Sequence, residues 1–404
     1  MSRHTRRRSP RKTRLTIAGA ALLASAAAVG TMTIASADEP ARRQVTSARA
    51  GADHAVFVQG DELAGNTIHA FRRGEDGTLS AAGSYATGGK GGDQVDAPTD
   101  SLASQGSLVY DNRSGRLLAV NAGSGTVTSF RVEGQRLTDR QVVGSGGDFP
   151  SSIAVSGTLA YVMNAGGAGS VQGFRITAGG LVPLGGSHRS LGLHNKKVPL
   201  FSSSPGQVAF TPDGRDLVVT TKSANTIEVF PVRHDGRPAR RAVINDSAGG
   251  VPFAITFDRS GRMLVAEAEK STVSTYRVRR DGTLKVVQEP LPNGQKTLCW
   301  LERAGDFFFG GNTGNSTVTG YRTDRRGKLA LTNGDGVATP PSARSQGVID
   351  LAVTQDQKFL YVQNATSGTV DGFRIGGNGS LSKVTTVTGL PPFAESGMEG
   401  ITAV

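Results

Sequence analysis

Two acidic residues and one lysine are the strongest candidates for catalysis in the sequence. Glu267 and Glu269 follow one apolar, strand-like run, and Lys222 follows another. A carboxylate can take a proton from water as a general base, and an ammonium group can stabilise an oxyanion. This pair of functions is what the opening of a lactone or an ester requires. The alternative interpretation is that Glu267 and Glu269 belong to a solvated turn.

A second group of polar residues precedes or begins other apolar runs, where side chains can bind a substrate. These candidates are Gln105, Gln207, Lys296, Thr297, Asp350 and Glu399. Lys296 is also an alternative to Lys222 for stabilising charge. For Gln207, Asp350 and Glu399 the other interpretation is hydrogen bonding to strand backbone.

Neither a metal nor a cofactor is expected. Cys299 is the only cysteine, which excludes an internal disulfide, and it has no sequence-near histidine, so we interpret it as a buried structural thiol. His188 and His194 share an irregular segment, 185–205, without further ligands at metal-binding spacing. The sequence has no GxSxG elbow, no P-loop and no dinucleotide fingerprint in a strand-to-helix context.

The N-terminus has the features of an export signal. Seven basic residues precede an Ala-rich apolar stretch that ends in the small-residue site Ala35-Ser36-Ala37. We expect a secretory signal peptide at 1–37, a flexible linker at 38–52 and the folded domain at 53–404, which predicts a secreted protein. A membrane anchor is the alternative, and both the general secretory and the twin-arginine routes stay open.

The net charge of +12 depends largely on that signal. Without residues 1–37 the chain has 38 basic and 33 acidic residues, an ordinary surface excess. We therefore expect no nucleic-acid partner. Outside the signal no uncharged apolar run approaches the ~20 residues that span a bilayer, so we also expect no membrane span after its removal.

The elements that must position the candidate residues form a repeat. One phrase, with an apolar strand, Asn, small residues, Thr-Val, an aromatic and Arg, occurs seven times, for example as GRLLAVNAGSGTVTSFRV at Gly115–Val132. The aromatic anchors, 44 to 59 residues apart, are Phe71, Phe130, Phe174, Phe230, Tyr276, Tyr321 and Phe373. Short apolar runs bounded by Gly, Asn and Asp predict four-stranded sheets at each copy. The period predicts an all-β, seven-bladed β-propeller.

The chain ends predict how the ring closes. The first copy begins at its second strand, Ala55–Gln59, and lacks the inner strand that precedes the others. Ile401–Val404 resembles that missing strand, so we expect it to pair with Ala55–Gln59; a frayed tail is the alternative. In this fold the candidate residues would surround one mouth of the central channel, with segment 185–205 as a loop over it.

The repeat phrases resemble those of secreted lactonase-like propellers. LYVQN (Leu360–Asn364) followed by SGTVDGFRI, and FTPDGRDLVVT (Phe210–Thr220) followed by NTIEVF, are similar to the 6-phosphogluconolactonase propeller family and, more distantly, to fungal carboxymuconate-lactonizing enzymes. The resemblance covers roughly Ala55 to Val404. It implies the propeller fold and a lactonase-type site.

The family's site residues are only partly present. Its two histidines before the Pro-Asp-Gly turn correspond to Ser204 and Gly206, and its Pro-Arg-His corresponds to Pro252-Phe253-Ala254. Its acid corresponds to Ala268 or Glu269, with Glu267 adjacent. A phosphate ester needs cationic ligands, and the matching positions do not supply them.

Two functions remain open from the sequence. One is a lactone or ester hydrolase, or a related lactonizing enzyme, acting at the channel mouth without a cofactor. The other is a non-catalytic propeller that binds a small molecule, a glycan or a protein. In either case we expect a monomer.

Overall fold

The chain forms seven antiparallel sheets whose strands follow one another in sequence. The computed structural model describes residues 54–395 and 397–404. The predicted signal peptide and linker lie outside these residues, so the predicted domain boundaries stay predictions.

The strands of the first three blades are consecutive along the chain, apart from the inner strand of blade 1. They are β1 (Ala55–Gln59), β2 (Thr67–Arg73) and β3 (Leu79–Ala86) in blade 1; β4 (Leu108–Asp111), β5 (Arg116–Asn121), β6 (Thr126–Glu133) and β7 (Arg136–Gly144) in blade 2; and β8 (Pro150–Ser156), β9 (Leu159–Asn164), β10 (Ser170–Thr177), β11 (Gly180–Pro183) and β12 (Arg189–Ser190) in blade 3. In blade 3 the short β11 and β12 both pair with β10.

The other four blades continue the same order. They are β13 (Pro205–Phe210), β14 (Asp216–Thr221), β15 (Thr226–Pro231) and β16 (Val243–Asp246) in blade 4; β17 (Pro252–Phe257), β18 (Met263–Glu267), β19 (Thr272–Val278) and β20 (Leu284–Pro292) in blade 5; β21 (Leu298–Ala304), β22 (Phe307–Asn312), β23 (Thr317–Thr323) and β24 (Leu329–Leu331) in blade 6; β25 (Val348–Val353), β26 (Phe359–Asn364), β27 (Thr369–Ile375) and β28 (Leu381–Val387) in blade 7; and β29 (Ile401–Ala403) in blade 1. The helical elements of the described residues are four 3₁₀ turns, at Ala122–Ser124, Phe201–Ser203, Thr313–Asn315 and Phe393–Glu395. No helix in this part of the chain is long and apolar enough to cross a membrane.

The first strands of the blades form a closed ring around a central channel. Each of β4, β8, β13, β17, β21, β25 and β29 contacts the equivalent strand of both neighbouring blades. These inner strands and the second strands are largely buried, whereas outer strands such as β3 are largely exposed. The predicted seven-bladed propeller is confirmed.

The C-terminal strand closes the ring in the predicted way. β29 pairs antiparallel with β1, with Val56 opposite Ala403 and Val58 opposite Ile401. Hydrogen bonds from Gln59 N–H to the Gly400 carbonyl (2.9 Å) and from Val404 N–H to the Ala55 carbonyl (2.8 Å) extend this pairing at both ends. Because both termini of the propeller lie in one sheet, blade 1 leaves no unpaired inner edge.

The repeated Asn explains part of the sequence phrase. Asn121, at the end of β5, donates from Nδ2 to the Oγ1 atoms of Thr126 (3.1 Å) and Thr128 (2.9 Å) on the next strand. Asn312 makes the same pair of bonds to Thr317 (3.1 Å) and Thr319 (2.9 Å). The buried amide nitrogen thus holds the turn between the second and third strands, and the oxygens of Asn121 and Asn312 accept from Asn66 Nδ2 (3.0 Å) and Asn293 Nδ2 (2.8 Å), which lie outside those strands.

Candidate functional site

The central channel contains an open pocket of about 220 Å³. Its wall extends from Gln105, Gln207 and Asp350, near the beginnings of inner strands, to Val353 and Ala403 at their ends. Side chains near the strand ends, such as Val353, are partly exposed, whereas the first residues of the same strands are buried. The pocket therefore opens at the face where the inner strands end, which we call the strand-end face; the opposite face is the strand-start face.

The strand-start face of the channel is closed by segment 93–106, which connects blades 1 and 2. Leu102, Ala103 and Ser104 of this segment are fully buried. Its backbone is bound from two other blades: Lys222 Nζ of blade 4 donates to the Ala103 carbonyl (3.0 Å), Trp300 Nε1 of blade 6 donates to the Ser104 carbonyl (3.3 Å), and Gln105 N–H donates to the Gly206 carbonyl of blade 4. Segment 93–106 is thus part of the fold's interior.

Segment 185–205 covers the same face. Val95 N–H donates to the Pro199 carbonyl, and Phe201 N–H donates to the Val95 carbonyl, both at 3.0 Å. The Phe201 ring lies under this layer, with the Lys222 ammonium 4.9 Å from its centroid. His188 and His194 are exposed on this segment. Within the described ranges no three His, Cys, Asp or Glu side chains are arranged to hold a metal ion.

Lys222 lies buried below the two segments, with 4% of its surface exposed. Its ammonium group is also 5.1 Å from the centroid of the Phe253 ring, so aromatic faces and one carbonyl surround it. Burial lowers the pKa of Lys222 to about 8, although the nearby carboxyl groups of Asp100 and Glu399 favour its charged form. The structure brings Lys222 and Glu399, both predicted from the sequence, into one cluster.

Asp100 and Glu399 form a buried carboxyl pair beside this lysine. Asp100 is 2% and Glu399 0% exposed, and the two carboxyl groups are close enough for each to affect the pKa of the other. Asp100 Oδ1 accepts the N–H groups of Leu102 (3.0 Å) and Ala103 (2.6 Å). Burial and, for Glu399, the Asp100 charge raise the pKa of both groups. Both carboxyl groups are therefore harder to ionise than in water, and Lys222, which favours their charged forms, lies next to them.

The floor of the open pocket contains two further carboxyl groups. Glu302 lies in the middle of β21 and is partly exposed, and Asp350 lies on the adjacent inner strand β25. Burial, with a smaller contribution from Asp350, raises the pKa of Glu302 to about 8. Burial also raises the pKa of Asp350 to about 7, against the N–H groups of Ile401 (3.1 Å) and Leu351 (2.9 Å) that its oxygens accept. Both groups thus change protonation near neutral pH.

Gln105 separates the pocket from the buried cluster. Its Nε2 donates to the Leu301 carbonyl (3.2 Å) and to Glu302 Oε1 (2.9 Å), and its Oε1 accepts Leu301 N–H (3.0 Å). The amide therefore bridges the channel from blade 2 to blade 6 and fixes one oxygen of Glu302. The Arg303 backbone N–H also acts on the Glu302 carboxyl and opposes part of the rise in its pKa, and no side chain of the described residues donates to Oε2.

Gln207 contributes a donor to the same pocket. Its Oε1 accepts the N–H of Ile255. That bond orients the amide, and Nε2 has no partner among the residues described. A fixed amide with a free N–H group can bind a carbonyl oxygen or an oxyanion.

Glu267 does not reach the pocket. It ends β18, at the repeat position occupied by Asn in blades 2 and 6, and it is fully buried. Its oxygens accept from Thr272 (2.8 Å), Ser274 (2.7 Å), Ser247 (2.8 Å) and Gly249 N–H (2.9 Å), and from Tyr276. Three of these donors lie on β19 of the same blade and two in the segment that connects blades 4 and 5. The carboxylate therefore holds this turn and the connecting segment together, which differs from the predicted role of a general base.

The other candidates away from the channel are at the surface. Glu269 is exposed in the turn after β18, in agreement with the solvated-turn alternative. Lys296 and Thr297 are exposed just before β21, where their carbonyls accept from Gly314 and Thr313. The structure does not bring these three residues to the pocket.

Asp100 and Glu302 are the residues that the sequence argument missed. Asp100 lies in a segment outside the repeat, whose position depends on packing between distant blades. Glu302 is the fifth residue of β21, whereas the sequence argument placed binding residues at the beginnings of inner strands. The sequence signal for Glu302 was a charged residue inside an otherwise apolar inner strand. Cys299, next to it, is a buried free thiol whose pKa burial raises to about 12, in line with a structural residue.

These features define a class of protein, a seven-bladed propeller with a ligand-sized pocket at one end of its channel. The family model of the seven-bladed β-propeller lactonases matches residues 191–301 of the chain. No curated protein matches the sequence.

Solved structures with the same fold extend the comparison. A protein from Lactobacillus plantarum has a TM-score of 0.67 at 16% identity, covering 86% of this chain and 98% of that one. A proposed 6-phosphogluconolactonase from Bacteroides uniformis has a TM-score of 0.63 at 17% identity, with coverage of 84% and 98%. The periplasmic gluconolactonase PpgL of Pseudomonas aeruginosa has 0.63 at 19%, with 83% and 98%. The resemblance to lactonase-like propellers is confirmed at the level of the fold.

Proposed function

We propose that the protein hydrolyses a small uncharged lactone or ester in the pocket at the strand-end face. One observation carries the proposal: the Glu302 carboxyl faces the pocket, where no described side chain donates to Oε2, and the unpaired Nε2 of Gln207 lines the same pocket. A base and an oxyanion donor are the two groups that ester hydrolysis requires. The match to the lactonase model and the names of the structural neighbours support the same chemistry.

The steps follow from the positions of these groups. Ionised Glu302 takes a proton from water, whose oxygen attacks the carbonyl carbon, while Gln207 Nε2 binds the oxyanion. As the ring or ester C–O bond breaks, protonated Glu302 gives the proton to the leaving oxygen and a hydroxy acid or an acid and alcohol results. Because burial and Asp350 raise the pKa of Glu302 to about 8, the rate should increase as pH rises towards that value.

The pocket's charge favours an uncharged substrate. None of the described residues that line it is a Lys, Arg or His, whereas Glu302 and Asp350 are among them. An anionic sugar phosphate would be repelled as these groups ionise. The same lack of cations is the observation that favours the second candidate, a non-catalytic protein that binds a polar small molecule there.

We also propose that the protein is exported and acts as a monomer. The predicted signal at 1–37 supports export, and cleavage after Ala37 would give a chain that begins at Asp38. N-terminal sequencing of protein from the culture medium tests this directly. Retention of the first 37 residues in the cell fraction would contradict it.

The central experiment is a screen of the purified protein against γ- and δ-lactones. We expect turnover by the wild type and a loss of roughly 100-fold or more in kcat for Glu302→Gln. Glu269→Gln is the matched control, since it removes an exposed carboxylate from the same part of the chain, and its kcat should be unchanged. Equal activity of Glu302→Gln and wild type would refute the assigned base.

The same screen separates the two functions. Calorimetric binding of a lactone without turnover at any pH from 6 to 9 would support the binding protein and reject the hydrolase. Turnover that follows ionisation of a group with a pKa near 8, and that disappears in Glu302→Gln, would support the hydrolase.

A further inference from the structure

The strand-end face has a strongly uneven charge. In blades 4 to 6 its turns are 211–215, 232–242, 258–262, 279–283, 305–306 and 324–328, which together contain twelve basic and six acidic residues. The equivalent turns of blades 1, 2, 3 and 7 are 74–78, 112–115, 134–135, 157–158, 178–179, 354–358 and 376–380, with two basic and three acidic residues. The excess of positive charge is therefore confined to one side of this face.

The acidic residues of these turns are engaged locally. Asp235 accepts the N–H of Arg237 (2.9 Å), Asp281 accepts from Thr283 N–H (3.0 Å), and Asp324 accepts from Arg326 and Lys328 N–H (both 2.8 Å). These Asp carboxylates shape the turns as caps of the backbone. These carboxylates accept N–H groups of their own turns, so their negative charge lies close to the backbone. The arginine side chains of the same turns extend farther from the backbone.

Five exposed arginines form the outer part of this surface, which we call the basic crest. The crest consists of Arg233, Arg240, Arg241, Arg279 and Arg280. Among the described residues none of the five has a carboxylate within ion-pair distance. Guanidinium groups without a carboxylate partner repel one another when they lie in one region, which raises the electrostatic free energy of the protein. Binding of an anionic partner would lower that free energy.

The crowding of charge is visible at a neighbouring arginine. Arg189 is fixed against the 232–242 turn by bonds from its guanidinium to the Ala239 and Pro238 carbonyls. Burial lowers the pKa of Arg189, and the charges of Arg233, Arg240 and Arg237 lower it further. A cation from blade 3 thus anchors the turn that presents the crest.

We propose that the basic crest is a docking surface for an acidic polysaccharide. Guanidinium groups bind carboxylate and sulfate groups in bidentate fashion, and a crest spread over the turns of adjacent blades suits a linear chain of such groups. The six turns contain no Phe, Tyr or Trp, the side chains on which single-stranded nucleic acids stack. The pocket is lined by carboxyl groups, so the crest and the pocket select different ligands, and this inference is independent of lactone hydrolysis.

The test is binding of the purified protein to heparin, an acidic polysaccharide, with neutral dextran and single-stranded DNA as comparisons. We expect heparin binding that weakens with salt, no dextran binding and weaker DNA binding. Arg240→Glu/Arg279→Glu should reduce heparin affinity roughly tenfold or more at low salt. The matched control, Arg113→Glu/Arg136→Glu, reverses two exposed charges on the same face in blade 2 and should retain the wild-type affinity.

Several outcomes would overturn the proposal. Equal losses in the two double variants would mean that net charge, and not the crest, determines binding. DNA binding as tight as heparin binding would assign the surface to nucleic acid. Absence of heparin binding at low salt by the wild type, with an unchanged thermal unfolding curve for all variants, would leave the crest without this function.

Discussion

The two ends of the channel use ionisable groups in opposite ways. At the strand-start face, Lys222 and Glu399 are buried beside Asp100 of segment 93–106, and their charges offset one another. At the strand-end face, Glu302 lines an open pocket of about 220 Å³ whose described lining residues include no cation. The first arrangement stabilises a fixed segment, and the second leaves a proton-accepting group available to a ligand.

This difference shows why a cluster of charged residues is a weak guide to a site. The buried cluster contains the more strongly perturbed groups, yet two of its three members hold part of the fold: Lys222 binds the Ala103 carbonyl, and Asp100 binds two N–H groups of the same segment. Glu302 is less conspicuous, but it is the carboxyl with access to the pocket. The two ends of the channel therefore differ in two properties of their ionisable groups: whether a ligand can reach them, and whether they can still accept a hydrogen bond.

The largest change in stability is expected for a substitution at the strand-start face. Lys222→Met removes the cation that offsets the Asp100–Glu399 pair and leaves the Ala103 carbonyl without its donor. We expect the free energy of unfolding to fall by about 3 kcal/mol, measured by urea denaturation at pH 7. Lys270→Met, at an exposed position, is the control and should change it by less than about 0.5 kcal/mol. A loss for Lys222→Met as small as that of the control would mean that the cluster does not stabilise segment 93–106.

The next effect concerns pH. Burial raises the pKa of Asp350 to about 7 and that of Glu302 to about 8, so the folded protein holds more protons than the unfolded chain from about pH 5 to pH 8. The free energy of unfolding should therefore decrease as pH rises through this window, by at least about 2 kcal/mol.

Urea denaturation at several pH values measures this slope. Glu302→Gln does not titrate at that position, so its slope should be shallower than that of the wild type. Stability that increases from pH 5 to pH 8 would contradict the raised pKa values. An unchanged slope in the variant would show that Glu302 is not one of the groups responsible.

The sequence predicted the fold well because the fold is repeated. Each copy contains its own strands and turns, and in some of them Asn–Thr hydrogen bonds hold the turn, as at Asn121 and Asn312, so local patterns determine the blades. The missing inner strand of the first copy was enough to predict the pairing of β29 with β1.

The site was harder to predict because it depends on residues that depart from the repeat. Glu267 looked like a catalytic acid, although alignment of the copies places it where other blades have the structural Asn. Asp100 and Gln105 belong to a segment whose place in the channel is decided by contacts with Trp300 and Leu301, almost 200 residues away. A local sequence pattern cannot predict contacts between residues so far apart in the chain.

Carbodiimide labelling of carboxyl groups in the native protein, read by peptide mass spectrometry, tests the comparison most directly. At pH 6, where Glu302 is protonated and reactive, we predict rapid modification of Glu302 and none of Asp100 or Glu399 until the protein is unfolded in urea. Modification of Asp100 and Glu399 in the native state, with Glu302 protected, would mean that the open end of the channel is the one we describe as closed.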